Sequence, residues 1–84
     1  MTELTSMQNI GKEMASKLKS VDITTAEELI ELGAKEAYCR LKKNYPNVCL
    51  VHLYTLEGAI QNVEFNNLSE KTKASLKAFS DSLK

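Results

Sequence analysis

Apolar side chains recur every three or four residues along almost the whole chain, and no stretch alternates as a strand requires. Leu4 and Met7 predict one short turn over residues 2–7. Ile10, Met14 and Leu18 then stand four apart, with Ala15 widening the stripe. Lys12, Glu13, Lys17 and Lys19 fall outside it, which predicts an amphipathic helix from Gly11 to about Ser20. Val21-Asp22-Ile23-Thr24 reads as a connector. Thr25 with Glu28 three residues on has the spacing of a capping box, and Glu27 and Glu28 place negative charge at the positive end of the helix that follows. Leu29, Ile30 and Leu32 are its expected apolar face, and Gly33 its stop.

A third helix is predicted over Ala34–Asn44. Ala37, Tyr38, Leu41 and Tyr45 face inward, and Lys35, Glu36, Arg40, Lys42 and Lys43 face water. Pro46 ends it, because the residue before a proline is pushed out of the helical region, and Asn47 continues the turn. The fourth helix, roughly Leu50 to Asn62, differs. Val48, Cys49, Leu50, Val51, Leu53, Tyr54, Leu56, Ala59, Ile60 and Val63 make it apolar on nearly every face, so it is expected to be the buried hub, with Phe65 extending the core. Asn66-Asn67 is a turn. Ser69 caps a last helix carrying Leu76, Phe79 and Leu83 on its docked stripe.

Eighty-four residues read as one domain, 1–84, of all-α class. A chain of this size hides only about 60–65% of its unfolded surface, so its stability is modest. No apolar run reaches the roughly 18 residues of a membrane span. No basic segment leads into an apolar one at the N-terminus, so a cytoplasmic protein with no membrane partner is expected.

Charge changes the picture of function more than size does. Eleven basic and eleven acidic residues cancel, whereas a dedicated polyanion binder carries a positive excess. Residues 1–34 set Lys12, Lys17 and Lys19 against Glu3, Glu13, Asp22, Glu27, Glu28 and Glu31, a net of −3. Residues 35–44 set Lys35, Arg40, Lys42 and Lys43 against Glu36, a net of +3.

Candidate chemistry is sparse. Cys39 and Cys49 match no common metal-ligand spacing and read as two thiols, at least partly buried, in a reducing compartment. His52 stands three residues after Cys49 on one helix, a candidate thiol–imidazole pair. No third group is placed to orient the base, and the alternative is a small residue at the helix start beside a partly exposed histidine. Glu57 is the one acid within the apolar fourth helix. Either Gly58 beside it permits close helix–helix approach while Glu57 pairs with a neighbouring donor, or Glu57 belongs to a site. There is no phosphate loop and no nucleophile elbow. No catalytic residue, metal site, cofactor or small-molecule substrate is expected.

The turn Asn9-Ile10-Gly11-Lys12 carries the one binding signal. Asn tolerates the left-handed region, Ile10 fits the core, and Gly11 lets backbone come close to an external group. The next amides begin a helix, where anions bind, and Lys12 adds charge. A tight turn feeding a short helix, then a second turn feeding another, is the pattern of a helix-hairpin-helix unit. Asn9, Gly11 and Lys12 are therefore candidate phosphate or DNA contacts.

The chain also resembles the C-terminal domain of the TfoX (Sxy) competence regulators. Asn9-Ile10-Gly11, Ala15, Leu18, Ile23-Thr24, Glu28-Leu29, Leu32-Gly33-Ala34, Glu36-Ala37-Tyr38 and Arg40-Leu41-Lys42 carry the likeness. The block Leu53-Tyr54-Thr55-Leu56-Glu57-Gly58-Ala59-Ile60, followed by Asn66-Asn67-Leu68, is its most specific part. The resemblance spans about residues 4–80 and implies a five-helix, SAM-like bundle with a helix-hairpin-helix unit. Lys12 stands where the family commonly has proline, and a stand-alone C-terminal-like domain, without the separate N-terminal domain common in the family, is expected.

A non-enzymatic interaction module in a regulatory, competence- or transcription-related setting is the expectation. It binds a protein partner or a second copy, with Lys35, Arg40, Lys42 and Lys43 as candidate contacts and the acidic 22–31 face as their complement. The alternative is weak, sequence-independent nucleic-acid binding through the Asn9-Gly11-Lys12 turn, weak because its segment is net negative.

Overall fold

A computed structural model describes residues 2–83 as five α-helices: α1 (Lys12–Ser20), α2 (Ala26–Leu32), α3 (Ala34–Asn44), α4 (Leu50–Gln61) and α5 (Glu70–Ser82). Short 3-10 turns at Leu4–Ser6 and Phe65–Asn67 complete the bundle, and no strand occurs among the described residues. α3 and α4 form the central pair. α1 and α2 lie against α3, while α5 and the Phe65–Asn67 turn lie against α4.

Local chemistry explains the boundaries. α3 begins just after Gly33, whose φ of +91° only glycine adopts readily, and its last residue, Asn44, precedes an extended Tyr45 and Pro46. α1 ends in a Schellman motif: Ile23 N–H returns to Leu18 O at 2.9 Å and Asp22 N–H to Lys19 O at 3.1 Å, with Asp22 left-handed at φ +66°. α4 ends the same way on Asn62, at φ +59°, with Val63 N–H bonded to Gly58 O at 2.9 Å.

Ser69 caps α5 by accepting the Thr72 N–H at 3.1 Å. Thr25 caps α2 by accepting the Glu28 N–H at 3.2 Å. The return arm of that box lands one residue early: the Glu28 carboxylate accepts from the N–H and hydroxyl of Thr24.

The core unites Leu4, Ile10, Leu18, Ile23, Leu29, Tyr38, Leu41, Leu53, Leu56 and Leu76, drawn from the Leu4–Ser6 turn, the connectors and all five helices. Expectations at five residues are corrected by packing. Ile30 is 53% exposed, because Leu29 and Ala26 take the inward side of α2. Val51 is 52% exposed, because Leu50 and Leu53 take the inward side of the first turn of α4. Cys49 is exposed as the N-cap of α4, whereas Cys39 is partly buried. Phe65 and Leu83 stay out of the central core. Leu83 is the C-cap of α5 and 40% exposed, and Ser80 holds the buried place there by pairing with Tyr38.

Candidate functional site

The Asn9–Lys12 turn is built by bending the chain sharply before α1. Ile10 N–H bonds to Met7 O at 3.3 Å, Asn9 takes φ +71°, and Ile10 enters the core. Gly11 is the N-cap of α1, with its carbonyl accepting from Ala15 N–H at 2.9 Å. No side chain caps this end, so its first amides lack a side-chain acceptor, and Gly11, Lys12 and Glu13 are exposed.

Gly11 has an ordinary φ of −95°, and a Cβ there would meet no described atom within 4 Å. The fold does not require its glycine. Asn9 differs: its side-chain amide donates to Val63 O at 2.9 Å and ties the turn to the end of α4.

Around the turn lies an open cleft shared with α4. Asn9, Gly11, Glu13, Met14, Lys17, His52 and Thr55 line it. Lys17 and His52 also line a neighbouring cleft with Tyr45, Pro46 and Asn47. Lys17 is drawn over the Tyr45 ring, with Nζ 5.6 Å from its centroid. No local signal in the sequence places His52 or Thr55 beside Gly11, because only the α1–α4 packing brings them together.

The four α3 cations are not brought together as one patch. Lys35 lies over the Phe79 ring at 5.4 Å and lines a cleft beside α5 with Glu57 and Lys71. Lys42 lies over Tyr38 at 5.8 Å and donates to Val48 O at 3.2 Å. Arg40 pairs with Glu36 at 3.7 Å and donates to Val21 O at 3.4 Å. Lys43 is exposed and shares an open cleft with Arg40, Asp22 and Ser20.

Arg40 and Asp22 also line the adjoining cleft, of about 380 Å³, whose other walls are Ile23, Glu28, Glu31 and Leu32. The two clefts form a surface of mixed sign around Asp22 and Arg40. Sequence reasoning separates these residues into an acidic and a basic face, and the close approach of α3 to the α1–α2 connector merges them.

Two acids of α2, Glu27 and Glu28, are held ionised by hydrogen-bond donors from threonines. Glu27 lies well below the usual carboxylate range, at about 2, chiefly because the Thr2 backbone N–H donates to it, at 2.9 Å, and then because the Thr2 hydroxyl does, at 2.7 Å. Glu28 is lowered by the Thr24 hydroxyl first and by its N–H second. Glu57 is half-buried and accepts from Gln61 Nε2 at 2.5 Å, so the donor is one turn away on its own helix.

Cys49 and His52 do meet, with Sγ 3.6 Å from Nδ1. Among the described residues no three His, Cys, Asp or Glu side chains converge as a metal site requires. None of the helices is long and apolar enough to cross a membrane, again among the described residues.

A crystal structure of an uncharacterized protein from Listeria monocytogenes, triclinic form, superposes with a TM-score of 0.95 at 40% identity, covering 98% of this chain and 93% of that one. A tetragonal-form structure of a protein of unknown function from Listeria monocytogenes gives a TM-score of 0.88 at 42% identity, covering 90% and 93%. No protein with a curated description matches. Residues 1–80 match the TfoX C-terminal domain, including the Asn9 turn and the Leu56-Glu57-Gly58-Ala59 block that it touches, and the chain belongs to the TfoX C-terminal domain family.

Proposed function

We propose that this domain is a non-enzymatic, cytoplasmic docking module that binds a protein partner in a regulatory setting. The observation that carries the reading is the mixed-sign surface around Asp22 and Arg40. It sets Glu28 and Glu31 on one side, Lys43 on the other and the half-buried, apolar Leu32 within the cleft. A polyanion approaching there meets carboxylates. A protein with complementary charges gains at both signs, and the apolar wall rewards a side chain placed between them. Lys35 and Lys42 support it less, since both lean on aromatic rings of their own domain.

The test is site-specific photo-crosslinking in lysate at physiological salt, with the crosslinker at Lys43 and, as a control, at Lys77. Discrete adducts at Lys43 that Arg40→Glu abolishes are expected. The same adducts at both positions, or none at Lys43 together with a monomer by sedimentation, overturn the reading.

The second reading, weak nucleic-acid binding by Asn9, Gly11 and Lys12 in a helix-hairpin-helix manner, draws on the open space over Gly11. A glycine that the fold does not need leaves the α1 amides approachable by a phosphate. Glu13 in the same cleft works against it. Titration of duplex DNA at low and at physiological salt decides the matter. Binding that is salt-sensitive and weakened by Lys12→Glu and by Gly11→Val supports it, and binding indifferent to both variants removes it.

A further inference from the structure

The charges around Asp22 and Arg40 have an order. Asp22 and Arg40 border both clefts, Glu28 and Glu31 only the cleft on the α2 side, and Lys43 only the other. Crossing the surface from α2 therefore leads from negative charge, through one acid and one base, to positive charge.

Some of these charges are answered within the chain. Glu28 is engaged by Thr24, and Arg40 by Glu36 and the Val21 carbonyl. Asp22, Glu31 and Lys43 are exposed, and among the described residues none of their side chains makes a hydrogen bond or an ion pair. Lys35 and Lys42 of the same helix, by contrast, already lie over aromatic rings.

A surface ordered in this way is its own complement. A two-fold axis through the Asp22–Arg40 middle reverses the order and sets the acid end of one copy on the base end of the other. Each contact is then made twice. An unrelated protein has to carry the reversed pattern, whereas a second copy presents it by symmetry alone. Resting on the docking reading of this surface, we propose that its occupant is a second copy of this chain. Glu31 of each copy meets Lys43 of the other, Asp22 meets Arg40, and the half-buried Leu32 lies within the covered cleft. The surface is small and mostly charged, so the dimer is weak and sensitive to salt.

Sedimentation equilibrium of the purified chain, up to about 1 mM and at about 50 and about 500 mM salt, tests this. Dimers in low salt that dissociate at least about threefold more readily in high salt are expected. Glu31→Lys and Lys43→Glu each set like charge on like charge twice, and each alone should weaken association about tenfold or more. Mixed in equal amounts, the two variants regain attraction at both contacts and should form heterodimers about as strong as the original dimer. Lys77→Glu has the same net charge as Lys43→Glu and should not rescue Glu31→Lys, which removes long-range attraction as the cause. Circular dichroism checks the helix content of each variant, and a variant that merely unfolds is not rescued by its counterpart.

A monomer at about 1 mM in low salt, a dimer indifferent to both swaps, or swaps that mixing does not rescue overturns the proposal. A monomeric purified chain whose Lys43 still crosslinks a different protein in lysate overturns it too, and leaves the docking reading standing.

Discussion

Asn9 and Gly58 occupy almost the same space. The Asn9 side chain crosses the outside of α4 to reach Val63 O, and a Cβ on Gly58 would lie 2.5 Å from Asn9 Nδ2. The same Cβ would lie 2.8 Å from Val63 O and 3.3 Å from Phe65 Cα. The turn that opens α1 and the glycine that interrupts α4 are thus one structural device, and Gly58 serves a side chain and a turn rather than a neighbouring helix.

Gly58→Ala tests that device. Helix propensity alone would favour alanine by roughly 1 kcal/mol. The clash includes backbone atoms that cannot swing away, so a net loss of about 1–3 kcal/mol is expected in urea unfolding. Asn9→Ala loses the bond to Val63 and leaves alanine at a left-handed φ, for about 1–2 kcal/mol. The double variant should lose less than the sum, because removing the Asn9 amide relieves part of the clash.

Acid should weaken the N-terminal clasp. Glu27 is held at about 2 by Thr2, below the value of an unfolded glutamate. A depressed folded pKa contributes stability that is present above the unfolded pKa and is lost as pH falls through the folded one. The urea midpoint should therefore decline from about pH 4.5 towards pH 2. Glu27→Gln should flatten that limb while leaving the effect of Glu28, which is lowered through Thr24.

Tyr38 and Ser80 share a buried hydroxyl pair at 3.2 Å that joins α3 to α5. Ser80→Ala leaves the Tyr38 hydroxyl buried without that partner, at about 1–2 kcal/mol. Tyr38→Phe removes the other half for a similar amount. The two together should cost less than their sum in denaturant melts, because no unsatisfied hydroxyl remains.

Neighbours on α2 should behave oppositely. Leu29 is wholly buried, so Leu29→Ala is expected to cost about 2–5 kcal/mol. Ile30→Ser, at a site more than half exposed, should stay within about 0.5 kcal/mol in the same thermal or urea melts.

These pairs show which parts of the protein were legible in the chain itself. Helix ends were, because they depend on adjacent residues. Gly33 and Pro46 bracket α3 at Ala34–Asn44, Ser69 caps α5, and Asn9 takes its left-handed φ, all through chemistry within a turn of the residue concerned. The site was less so. Nothing near Gly11 announces His52 and Thr55, and nothing near Arg40 announces Asp22, because those pairs exist only once α1, α3 and α4 have packed.

By itself, then, the sequence determined five helices, their stops and most of the core, since a 3.6-residue period and a capping side chain act over a few bonds. Only the tertiary structure decided that Ile30, Val51 and Cys49 face outward, that the α3 cations part company and that Asn9 lies against Gly58. A helical stripe specifies which side is apolar. How far a neighbouring helix covers that side depends on crossing angles and on contacts between residues far apart in the chain.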